Sequence, residues 1–102
     1  MQDQKTYLML FKAKRDDFVK TMTAEEKALM EEHAAHCRGL AARDRIVLMG
    51  VCPDGAYGVM VFRADSDEEA RRFFDEDPAV KAGVVHPELH PFVTVFPFQH
   101  QE

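Results

Sequence analysis

No run of this chain approaches the roughly 20 consecutive apolar residues that a membrane-spanning helix needs, so no bilayer partner is expected. The polar start Met1-Gln2-Asp3-Gln4 leads into no apolar signal segment, and the expectation is a cytoplasmic protein. Positive charge is in deficit: 13 Lys and Arg stand against 18 Asp and Glu, for a formal net charge of -5. Phosphate backbones and anionic lipid surfaces are held by basic patches, so nucleic acid and membrane surfaces are poor partners. Cysteine is scarce, and Cys37 and Cys52 fall in different predicted elements without CxxC spacing. That pattern suits small buried thiols better than a bridge. Glycine-rich phosphate loops, nucleophile elbows and Ser-His-Asp patterns are missing as well, since Gly50, Gly55 and Gly58 belong to a hairpin. Repeats and low-complexity tracts are absent.

What is present is the composition of an ordinary globular domain, 46% hydrophobic and 30% charged, which argues against disorder. With 102 residues the chain has room for a single domain over 1–102 and one modest core.

Thr6 to Phe11 is a short apolar run with β-favouring residues and reads as a first strand. Thr23-Ala24-Glu25-Glu26 is a capping box: the Thr hydroxyl accepts from the Glu26 N–H while the carboxylate reaches back to the Thr23 N–H. It opens a long helix running to about Arg43, with Leu29, Met30, His33, Cys37, Leu40 and Ala41 on one stripe that should face a sheet. Arg45 to Val51 and Ala56 to Ala64 are β-like runs joined by Cys52-Pro53-Asp54-Gly55, a turn signal, and form a hairpin. Ser66-Asp67-Glu68-Glu69 is a second capping box opening a shorter helix, with Ala70, Phe73, Phe74 and Asp77 on one face and Pro78 to end or bend it. His90 to Phe98 alternates Phe92, Thr94, Phe96 and Phe98 against Val93, Val95 and Pro97, the pattern of a last strand.

Strand, helix, hairpin, helix, strand is the β-α-β-β-α-β order of ferredoxin-like α+β domains, with both helices on one face of an antiparallel sheet. The other face also carries Met, Val and Phe, and a second copy is an economical cover for it. A homodimer is therefore expected.

His33 stands between Leu29 and Cys37 near the middle of the apolar stripe, and Asp77 sits one turn beyond Phe73 and Phe74 on the second helix. A buried carboxylate needs a partner. Two helices side by side on one sheet face would bring Asp77 to His33, fixing the imidazole tautomer and raising its basicity for work as general base or acid. The competing reading of the same pair is a structural lock between helices. His36 lies nearer the rim of the stripe, and His86 and His90 flank a Pro-Glu pair. HxxH or HxxxH without a third ligand is a weak metal signal, so these are read as solvated rim or loop histidines and no metal is expected. Arg38, Arg43, Arg45, Arg71 and Arg72 suit solvated helix faces and ends, Arg43 complementing the dipole at the end of the long helix; none is assigned chemistry.

From the helix histidine through Leu40, then Arg45-Ile46-Val47-Leu48-Met49-Gly50-Val51, and on to Asp77-Pro78-Ala79-Val80-Lys81-Ala82-Gly83, the chain resembles the YciI-like (YCII-related) family over nearly its whole length. That family carries a helix-one histidine, a G-R-L-L-x-A-G-P type second strand and a D-P-x-x-x-A-G segment after the second helix. This chain departs from it with Asp44 where a glycine usually precedes the second strand, with Val51-Cys52-Pro53 in place of Gly-Pro, and with a short loop between the second and third strands. The resemblance implies a dimeric α/β barrel, and puts His33 and Asp77 at the positions of the family's His-Asp active pair. It also points to dehydrochlorinase-type chemistry on chlorinated, hydroxyquinol-like rings.

The leading expectation is thus a cofactor-independent enzyme that takes a proton from a small aromatic or hydroxylated substrate, with His33 as base, Asp77 orienting it, and Phe and Met lining a pocket between helix and sheet. The alternative is a dimeric module that binds a small molecule or docks a partner without chemistry. RNA binding on the sheet is the weakest reading, because the chain is acidic and lacks aromatic RNP signatures.

Overall fold

The computed structural model describes residues 5–95. Its elements follow in the order β1 (Lys5–Ala13), α1 (Phe18–Thr21), α2 (Ala24–Ala42), β2 (Ile46–Val51), β3 (Gly58–Ala64), α3 (Asp67–Glu76), α4 (Pro78–Ala82) and β4 (Val85–Pro91). The four strands form one antiparallel sheet in the order β2-β3-β1-β4, an α+β fold of the ferredoxin-like type. Strand alternation sorts its side chains. Tyr7, Met9, Met60, Phe62 and Ala64 are buried and join Cys37 and Leu40 of α2 and Ala70, Phe73 and Phe74 of α3 in the core. The register pairs Tyr7 with Phe62 and Met9 with Met60, so the two central strands supply the core floor.

Both capping signals work, in different ways. At Thr23 the box is reciprocal, with Glu26 N–H donating to Thr23 Oγ1 at 3.1 Å and Thr23 N–H donating to Glu26 Oε1 at 2.9 Å. At Ser66 only half of it forms: Glu69 N–H donates to Ser66 Oγ at 3.0 Å, while the Glu69 carboxylate takes the N–H of Asp65 instead. The hairpin turn follows its sequence, with Gly55 at φ 81, Gly55 N–H donating to Cys52 O at 2.8 Å and Ala56 N–H donating to Asp54 Oδ1 at 2.9 Å.

Three features differ from the sequence expectation. The short helix α1 buries Phe18 and is tied to α2 by Arg15, whose guanidinium bonds both Glu26 oxygens at 2.8 Å and the Thr21 carbonyl at 2.8 Å. Ala41, expected on the buried stripe of α2, is exposed, and the last buried residue of that stripe is Leu40. The last strand is Val85–Pro91 and not His90 to Phe98: residues 92–95 are not strand, and Phe96, Pro97 and Phe98 lie outside the described residues. Among the described residues no helix is long and apolar enough to cross a membrane.

Candidate active site

The Asp77-Pro78 motif is a helix written in local signals. Asp77 caps α4, its Oδ1 accepting from the Ala79 N–H at 2.9 Å; Pro78 takes the first helical position, where its missing N–H costs nothing; Gly83 ends the helix at φ 72. Asp77 is thus not on the face of the second helix, as the spacing suggests, but in the joint between α3 and α4. Pro78 forces its predecessor into extended backbone, φ -63 and ψ 125, and that turn aims the carboxylate inward.

Its target is His33. Nδ1 lies 2.9 Å from Asp77 Oδ1 and 2.8 Å from Oδ2, with His33 only 8% exposed and Asp77 0%. A carboxylate only accepts, so Nδ1 carries a proton and donates it. Burial pulls the imidazole pKa down, but the Asp77 hydrogen bond and charge, aided by Cys37, outweigh it and raise the group to about 10. At neutral pH the imidazole therefore carries both protons, and its exchangeable one is on Nε2. That nitrogen is 3.7 Å from Cys37 Sγ, one helical turn along α2, and the Phe11 ring stands edge-on at 5.3 Å between centroids.

His33, Cys37 and Asp77 each offer a ligand atom, all within 4.8 Å of one another. Two donors on one tetrahedral zinc, each at ~2.0–2.2 Å, sit ~3.3 Å apart or more; the 2.8 Å contact is that of a hydrogen bond. The other histidines stay apart. His36 Nε2 is 3.2 Å from the Phe73 carbonyl oxygen and helps hold α2 to α3. His86 and His90 are exposed on strand β4 rather than in a loop, and His90 Nε2 meets Glu88 Oε1 at 2.9 Å. Arg43 and Arg45 lie over the Phe73 ring, and Arg45 also faces Asp65 and Glu69.

The expected pocket between helix and sheet is filled instead by core side chains, Met9, Met60, Phe62 and Leu40 among them. Two clefts open elsewhere, at the Tyr7 end of β1. One, of about 340 Å³, lies between α3 and β4 and is walled by Tyr7, Leu89 and Pro91 with Asp67, Glu68 and Arg71 at its rim. The other, of about 720 Å³, shares Tyr7, Asp67 and Pro91 and reaches Arg63 and Phe92. Between them the Tyr7 hydroxyl donates to Asp67 Oδ1 at 2.5 Å, and burial followed by this bond pushes Tyr7 up to about 12. The sequence gives no warning of this pair, because Tyr7 reads as core and Asp67 as a first-turn acid.

Residues 6–92 match the family model of the YCII-related domain. Among solved structures, the fold is similar to 5-chloro-2-hydroxyhydroquinone dehydrochlorinase (TftG) from Burkholderia phenoliruptrix AC1100, in complex with 2,5-dihydroxybenzoquinone. The TM-score is 0.57 at 17% identity, over 85% of this chain and 93% of that one. No curated protein matches in sequence.

Proposed function

The chain belongs to the family of YCII-related domains, and from that premise we propose that it is a small cofactor-independent enzyme that moves a proton to and from a hydroxylated aromatic ring through His33 and Asp77. One observation carries the reading: a buried imidazole whose Nδ1 is held by both oxygens of a buried carboxylate. Asp77 fixes the tautomer and stabilises the imidazolium, leaving Nε2 as the atom that exchanges. Because the resting imidazole holds its proton at neutral pH, His33 acts first as an acid and then as a base. It gives the proton to an ionised hydroxylated ring and takes it back in the return step. The substrate class is supported by the similar dehydrochlorinase, whose structure holds 2,5-dihydroxybenzoquinone, a flat ring with acidic hydroxyls. The working form in this reading is a cytoplasmic homodimer of the α/β-barrel kind, paired through the sheet face that carries no helix.

The test is ring-hydrogen exchange. Wild-type protein incubated anaerobically with 1,2,4-trihydroxybenzene in D2O at pH 7 should speed deuterium entry at ring carbon. His33→Gln should lose that acceleration by about 100-fold or more, and Asp77→Asn should slow it. A folded His33→Gln that exchanges at the wild-type rate removes the reading.

A second reading, binding without chemistry, draws on the position of the two clefts at Tyr7. It expects 2,5-dihydroxybenzoquinone to bind wild type and His33→Gln equally, and to bind Leu89→Ala more weakly.

A further inference from the structure

We propose that the smaller cleft at Tyr7 is a separate binding site for an amine with an ammonium group on a flat apolar body, in which Asp67 receives the ammonium and Tyr7 positions Asp67. Tyr7 stands ~13 Å along β1 from Phe11, the ring beside His33, so the inference is independent of proton transfer there. The cavity of about 340 Å³ is within the range of roughly 300–1,000 Å³ that small-molecule sites occupy. Tyr7, Leu89 and Pro91 wall it, and its charged groups, Asp67, Glu68 and Arg71, are gathered at the α3 rim. The charge left over at that rim is negative. Arg71 is taken up by Asp75 at 3.3 Å and lies over the Phe74 ring at 5.0 Å, whereas Asp67 and Glu68 are in no ion pair among the described residues. The α3 dipole sets about half a positive charge at this end, less than two carboxylates supply. The cations Lys5 and Arg63 line the larger cleft instead, and Arg63 is held by the Asp44 carbonyl oxygen at 3.0 Å.

Tyr7 presets the acid. Its hydroxyl is spent on Asp67 Oδ1 at 2.5 Å, which leaves Oδ2 without a protein partner among the described residues. Tyr7 is 3% exposed while Asp67 is exposed, so a buried ring anchors a surface carboxylate, and an acceptor already in place saves the ordering cost of binding. With its hydroxyl raised to about 12, Tyr7 keeps its proton at neutral pH and adds no charge of its own. The free groups at the polar end are thus acceptors. They take a hydrogen-bond donor, and their charge favours a cationic one, since a carboxylate-tipped ligand would meet like charge.

Isothermal titration at pH 7 and low salt compares 2-phenylethylamine, 2-phenylethanol and 3-phenylpropanoate, which share a ring and a two-carbon arm and end in ammonium, hydroxyl and carboxylate. The amine should bind about tenfold or more tightly than the alcohol, and the carboxylate more weakly than either. Asp67→Asn, a surface change that keeps an oxygen for the Tyr7 hydroxyl, should cost the amine about tenfold and leave the alcohol within about twofold. Leu89→Ala should weaken both, and Tyr7→Phe the amine. An amine that binds no better than the alcohol, or that binds Asp67→Asn or Leu89→Ala as well as wild type, overturns the proposal; an unchanged Tyr7→Phe removes the positioning role. Amine binding with this pattern upholds the cleft whether or not ring-hydrogen exchange is seen. 2,5-Dihydroxybenzoquinone bound there in place of the amine upholds the earlier binding reading and overturns this one.

Discussion

Asp77 does two jobs with one carboxylate, and each can be removed separately. Asp77→Asn keeps an oxygen for the Ala79 N–H and a polar partner for the imidazole, whereas Asp77→Ala abandons both the cap and a buried cation. Breaking a buried ion pair from one side costs about 3–5 kcal/mol. Urea unfolding should therefore find Asp77→Ala destabilised by about that much, and Asp77→Asn by clearly less. The same pair sets a pH window. Since the folded imidazole is raised to about 10 against an unfolded value of ~6.5, the native state binds the extra proton. Its stabilisation is whole below the unfolded value and fades as pH rises through about 10. Urea midpoints of wild type should fall between pH 7 and pH 10 while those of His33→Gln stay flat across that range. Asp44, which stands where the resembling family has glycine, takes φ 59, a conformation that Asp tolerates and Ala does not. Asp44→Gly should be neutral to stabilising, and Asp44→Ala should lose about 1 kcal/mol. At this scale the sequence was legible where a residue type clashed with its surroundings. A histidine on an apolar stripe and an acid beside a phenylalanine pair demand partners, whatever the exact backbone. It was silent on Tyr7 and Asp67, whose types fit their surroundings and so raise no question.

Helix starts are written locally, and the long and short helices were readable from Thr23 and Ser66 because a cap needs only four consecutive residues. Removing the Thr23 hydroxyl, one half of a reciprocal box, should cost about 1 kcal/mol in Thr23→Ala, visible as a lower urea midpoint with an unchanged slope. The last strand was misplaced for a physical reason. Pro87 and Pro91 lie inside β4, and proline argues against a strand unless its missing N–H faces no neighbour. Phe92 N–H donates to Thr6 O across β1 and β4, so by alternation the nitrogens of residues 87, 89 and 91 point away from β1. β4 is an edge strand, and the prolines stand on its free side, where they also blunt pairing with other chains. The aromatic alternation after His90 favoured the wrong window, because periodicity cannot reveal which strand will be at the edge. α1 escaped for the opposite reason: four residues are too few to show a period, and it is held by Arg15 and Glu26 from outside itself.

At the level of the whole molecule, the helices cover one face of the sheet and leave the other to solvent. On that uncovered face the register puts Leu8 beside Val61, Leu10 beside Val59, and Leu48 beside Val61. Leu48 is 55% exposed, Val61 is buried beneath its neighbours, and Val47, the extra residue of the β2 bulge, is exposed next to them. At the β4 edge the same face turns polar, with His86, Glu88 and His90 opposite Lys12, Leu10 and Leu8. An apolar centre with a charged margin is the anatomy of an interface between copies, and a two-fold pairing of sheets would bury the leucines and valines while leaving the histidines at the rim. A chain of 11.7 kDa should then scatter light as a species of about twice that mass at micromolar concentration. Leu48→Glu adds a charge to the patch on its β2 side without touching the helix side, so it should yield a folded monomer with an unchanged His33–Asp77 pair. If wild type is itself monomeric at that concentration, the uncovered face has no second copy on it and the dimeric part of the proposal fails, while the proton-transfer test at His33 stands unaffected.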